Sequence, residues 1–122
     1  MGVSVKTTMA GLVAGLMIIV GVIVATSNQA HAQRTRFQGI TQCSRFAAVQ
    51  FSKSDSGFRR FVIERASVQD DKFANLVGNQ FVSTVYYGRA SYEGAGPAKR
   101  VRFICLHGGT AKGPVFVYAM PE

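Results

Sequence analysis

The sequence predicts an α+β fold: an N-terminal helix packed on a small antiparallel β-meander of three to four strands, with one disulfide. Three observations carry this. Residues 81–92, 99–107 and 114–120 are runs of β-branched and aromatic side chains separated by Gly- and Pro-containing turns. Residues 40–51 instead space their apolar side chains at helical intervals. The 122-residue chain has two cysteines, one in each region, Cys43 and Cys105.

The first 32 residues stand apart from this domain. Met1 and Lys6 supply positive charge, residues 9–26 form an almost unbroken apolar run, and Ala30-His31-Ala32 is an A-x-A pattern of small residues. That order is the layout of a secretory signal cleaved after Ala32. An uncleaved anchor in the inner membrane is the alternative, because the run is long for a signal and nearly long enough to span a bilayer. Gly11, Gly15 and Gly21 within the run and the well-placed A-x-A site favour the signal.

Residues 33–122 then make a single domain, periplasmic or secreted. Thirteen Lys and Arg against six Asp and Glu give those residues a net charge of +7. Outside the cytoplasm, such charge favours anionic lipid, lipopolysaccharide phosphates or acidic wall polymers over DNA. A domain of this size has a marginal core. An even cysteine count in a small exported chain points to a disulfide, and two cysteines allow only the pairing Cys43–Cys105.

The helix is read from Ile40, Cys43, Phe46 and Ala47, and the turn residues of Ser52-Lys-Ser-Asp-Ser-Gly57 end it. Residues 58–68 fit either a helix or a strand, and their Val, Ile and Phe content favours the strand. In the run at 81–92, Gly88 indicates a bulge or a close backbone approach. Along 99–107, alternation puts Val101, Phe103, Cys105 and His107 on one face and Arg100, Arg102, Ile104 and Leu106 on the other. Asp70-Asp71 reads as a solvated turn or a helix N-terminus. The Gly-rich stretches at 93–98 and 107–114 match no phosphate-loop pattern and read as hairpin connections.

Cys43, Phe103-Ile104-Cys105 and the strand Tyr87-Gly88-Arg89-Ala90-Ser91-Tyr92 resemble features of small exported proteins of Gram-negative bacteria. Those proteins carry a helix cysteine and an aromatic-x-Cys strand. The resemblance covers most of residues 33–122 and implies fold and location, with no catalytic residues attached.

Among the chemistries, a metal site fails on ligand number. Cys105 and His107 share a face, but His107 is the only histidine left after cleavage and no CxxC or HxxxH spacing organises further ligands. A small cysteine-dependent cell-wall hydrolase using Cys43 and His107 is the alternative function, since a helix cysteine near a strand histidine is a catalytic arrangement. It would leave Cys105 as an unpaired thiol in an oxidising compartment. Tyr86, Tyr87, Tyr92 and Phe103 interleave with cations as in single-strand nucleic-acid binders, yet the RNP-type consensus is missing and export removes the substrate. No nucleic acid, metal or cofactor is therefore expected. The expected function is a non-enzymatic binding or structural role in the cell envelope. Arg89, Lys99, Arg100 and Arg102 are the candidate anion-binding residues.

Overall fold

The structure, a computed structural model, describes residues 29–122. The apolar run at 9–26, expected to be a signal or anchor, lies outside the described residues. Among the described residues, no helix is long and apolar enough to cross a membrane. Thr35–Glu122 forms one compact unit that holds the α+β domain.

Residues 29–54 are helical (α1). Ile40, Cys43 and Ala47 form its buried stripe, at i, i+3 and i+7, with Phe46 and Phe51 packed beside them. Asp55 then terminates the helix: its N–H donates to Phe51 O (2.9 Å), and its side chain accepts from the Gly57 N–H (2.9 Å). The local Asx turn offers the backbone an alternative to another helical turn.

Five antiparallel strands follow: β1 (Arg60–Ile63), β2 (Gln69–Val77), β3 (Gln80–Glu93), β4 (Lys99–His107) and β5 (Pro114–Pro121). β3, β4 and β5 form the meander expected from the sequence. The additional strands share the other edge of β3. β1 pairs with residues 90–93 and β2 with residues 80–87. Between them a 3-10 turn, Arg65–Ser67, carries the chain past Gly88. A Cβ at Gly88 would stand 2.9 Å from Ser67 O, so this is the close approach that the glycine indicated.

β2 was not expected, and Asp70-Asp71 lies within it rather than in a turn or at a helix N-terminus. All nine of its residues are exposed, so burial imposes no alternation on them. Its pairing shifts register between Lys72 and Asn75, near Ala74 at φ 49°. It is joined to β3 by the two-residue hairpin Gly78-Asn79, with Gly78 at φ 61° supplying the conformation such a turn requires.

α1 covers one face of the sheet. Its stripe packs on Phe61, Ile63, Tyr86, Ala90, Val101, Phe103 and Val117, with Val68 from the end of the β1–β2 crossing. The Cys43–Cys105 disulfide joins α1 to the central strand, with Cα atoms 6.1 Å apart and both residues fully buried. At one end of the core Phe51, Phe58, Phe61, Tyr92 and Phe103 form a chain of aromatic contacts, with Phe51 and Phe61 centroids 5.3 Å apart. Pairs of this kind add about 0.5–1.5 kcal/mol each beyond area burial, which matters in a core this small.

Candidate functional site

The four residues proposed for anion binding do not form one cluster. Register places Arg89 directly opposite Arg102, and Arg100 opposite Ser91, all on the face away from α1. Lys99 is opposite Tyr92, whose ring packs on Phe51, so alternation sends Lys99 to the α1 side. There its charge helps hold the Asp55 carboxyl below the usual carboxylate range. Larger contributions come from the Tyr92 hydroxyl and the Gly57 N–H, both donating to that carboxylate.

The carboxylates decide which cations are available. All six lie among the described residues. Glu64 bridges Arg89 (3.3 Å), Glu93 bridges Arg60 (2.5 Å), Glu122 bridges Arg100 (3.3 Å) and Asp70 bridges Arg36 (3.2 Å). Asp71 accepts from Tyr87 Oη (3.1 Å), and Asp55 from Tyr92 Oη (2.5 Å). The sheet face away from α1 is therefore close to neutral: Arg60, Arg89 and Arg100 are each matched, and Arg102 alone has no carboxylate. Arg89 and Arg102 line an open groove of about 330 Å³ with Ser67, Gln69, Tyr87 and Glu122. Like charges directly across an antiparallel pair destabilise it, and Glu64 offsets one of the two.

Besides Arg102, a set of unmatched cations lies on the other layer. Arg45, Val49 and Lys53 are exposed at i, i+4 and i+8 along α1. Arg65 lies with its guanidinium 4.0 Å above the Phe37 ring and donates to Thr41 Oγ1 (3.2 Å), against the same helix. With Lys99 at the helix C-terminal end, near Asp55, these cations form the basic side of the domain, and among the described residues Arg45, Lys53 and Arg65 have no carboxylate partner. The helical spacing of Arg45 and Lys53 was readable in the sequence. The pairing that neutralises Arg89 and Arg100 was not, because it depends on where β1 and the chain's last residue lie.

The Cys–His pair resolves differently. Cys43 is bonded to Cys105, so no thiolate is present for a nucleophile. His107 is 1% exposed. Its Nδ1 accepts from the Gly109 N–H (3.0 Å), which leaves Nε2–H to donate to Gln42 Oε1 (2.7 Å). Burial holds its pKa below the ordinary histidine value. Gln42 Nε2 donates in turn to Thr110 O (3.1 Å), so the network ties the β4–β5 turn to α1. Both ring nitrogens are occupied, and among the described residues no three His, Cys, Asp or Glu side chains are grouped to hold a metal.

No family model, curated protein or solved structure matches this chain. The functional reading therefore rests on the residues themselves.

Proposed function

We propose that this is an exported, periplasmic or secreted domain with a non-enzymatic binding role in the cell envelope. It docks acidic groups of the envelope against the basic side of α1. The partners are of one chemistry, phosphate or carboxylate on anionic lipid, lipopolysaccharide or wall polymer. The reading of residues 1–32 as a signal and the buried disulfide support the location.

The observation that carries the binding reading is the distribution of carboxylates. Arg45, Lys53 and Arg65 have no acidic partner among the described residues, and Lys99 has only the nearby Asp55 carboxylate, whereas the arginines of the opposite sheet face, Arg102 excepted, are each in a salt bridge. A cation already bridged gains little from a second anion, and an unbridged surface cation contributes its full attraction, about 1 kcal/mol near an anionic surface.

The test is retention of the exported protein on phosphatidylglycerol vesicles and on a soluble polyanion across a salt series. Retention on at least one, falling with salt, is expected. Arg45→Ala with Lys53→Ala should weaken it roughly thirty-fold, as two such contributions imply. Arg89→Ala and Arg100→Ala should change it little. Unchanged binding by the Arg45/Lys53 double variant would overturn the assignment to α1, and no retention on either probe would overturn the reading itself.

A further inference from the structure

The sheet face away from α1 is unusually apolar for a solvated one. Antiparallel strands with one wet face normally alternate apolar-in and polar-out. β5 does not: Phe116, Tyr118 and Met120 point away from the core and are 44%, 51% and 46% exposed. The Phe116 and Tyr118 rings stack with centroids 6.5 Å apart and planes 6° from parallel. Register extends these residues into rows, Phe116 beside Leu106 and Val85, Tyr118 beside Ile104 and Tyr87. At the end of the face, Val77, Val115, Leu106 and Phe116 line an open groove of about 550 Å³. A contiguous patch of this kind marks an interaction surface.

We propose that a second copy of this chain covers this face, sheet against sheet. Charge selects the occupant. The net positive charge lies on the α1 side, so an anionic lipid or polymer finds little attraction at the sheet face. Two copies meeting there bring near-neutral surfaces together and keep both basic sides outward. Contact of one basic side with another would set like charges against each other.

Arg102, the unmatched cation, stands in the row of Met120, at the opposite end from the groove. It falls at the rim when the apolar rows form the centre. Pro114 and Pro121 bracket β5, the free edge of the meander, and proline disfavours extension of the sheet edge to edge. That leaves the face, where two sheets can interdigitate as in a β-sandwich. Three strands about 4.8 Å apart and three rows about 6.8 Å apart give a footprint of roughly 300 Å² per copy, so the association is weak and reversible.

This proposal does not depend on the anion-binding reading. Its test is sedimentation equilibrium of the exported protein from micromolar to millimolar concentration. A reversible monomer–dimer equilibrium is expected, weakened at least ten-fold by Tyr118→Lys and retained by Tyr118→Phe. Zero free thiols and an unchanged far-ultraviolet spectrum would establish that the lysine variant is folded. The chain contains no tryptophan, so Tyr118→Trp provides a single reporter whose emission shifts to the blue as concentration rises. A monomer throughout the series would overturn the proposal. So would a dimer that Tyr118→Lys leaves intact, or a reporter whose emission ignores concentration while the chain associates.

Discussion

His107 Nε2 lies 2.7 Å from Gln42 Oε1, so a buried side chain at the end of β4 is fastened to α1 through a partly buried polar contact. The geometry requires neutral imidazole, because Nδ1 is already accepting from Gly109. Burial lowers the folded-state pKa below 6.5, while the unfolded chain keeps the ordinary value. Below pH 6.5 the unfolded state therefore binds more protons than the folded one. The stability this residue contributes is present above pH 6.5 and is lost as pH falls from there to the folded pKa. Urea denaturation should show a falling midpoint on mild acidification, and His107→Gln should flatten that dependence.

The disulfide is the second expectation. Titration under denaturing, non-reducing conditions should find zero free thiols, and two would remove the staple and restore Cys43 as a nucleophile. The linked residues are 62 apart in sequence. In the chain-entropy account a loop of that length contributes about 4 kcal/mol. Cys43→Ala with Cys105→Ala should lower the unfolding free energy by about that amount or more, since both residues are fully buried. A loss below about 1 kcal/mol would mean that the unfolded chain is already compact.

Most of the frame was legible because burial writes itself into alternation. Val101, Phe103, Cys105 and His107 do share the face that meets α1, and the three C-terminal strands end within one residue of the boundaries expected. β2 was illegible by the same logic, as none of its residues is buried and Gln69-Asp70-Asp71-Lys72 carries no strand composition. The one local signal was Gly78-Asn79, a two-residue hairpin pair between Val77 and Gln80. The separation of Lys99 from Arg100 and Arg102 follows from alternation alone. The neutralisation of Arg89 by Glu64 does not, because it requires β1 and β3 to be adjacent.

β2 should also be the least protected strand. Its residues add no buried contacts, and its pairing is interrupted by the irregularity at Lys72–Asn75. Such segments open at low free energy. Native-state hydrogen exchange should find amides of 69–77 exchanging well ahead of those of β4, which is paired on both sides. Equal protection would mean that another surface covers β2.

Tyr92 should be the last tyrosine to ionise. Its hydroxyl donates to Asp55 at 2.5 Å, and that hydrogen bond, together with burial and the adjacent negative charge, pushes its pKa up to about 12. Ultraviolet titration of the phenols should resolve this step, and Asp55→Asn should bring it down towards the ordinary value. The same contact lowers the Asp55 pKa, so its stabilisation is present above about pH 3.8 and is lost as pH falls further. An unshifted Tyr92 would mean that the hydroxyl faces water.

Gly88 tests the passage from β1 to β2. A Cβ there would meet Ser67 O at 2.9 Å, Ser67 Oγ at 3.0 Å and Val68 Cα at 3.1 Å. Two of these are backbone atoms that cannot swing aside. The Ser67 hydroxyl is also committed, accepting from the Arg89 N–H (2.9 Å) and donating to Glu64 O (2.6 Å). Gly88→Ala must therefore displace the 3-10 turn, at a cost of about 1–3 kcal/mol for overpacking. In a domain of this size that lowers Tm by at least about 4 °C. Gly96→Ala is the control: nothing stands within 4 Å of its Cβ position, and Tm should be nearly unchanged. If both variants melt together, the turn is free to move, and β1 and β2 are held to β3 less rigidly than the geometry requires.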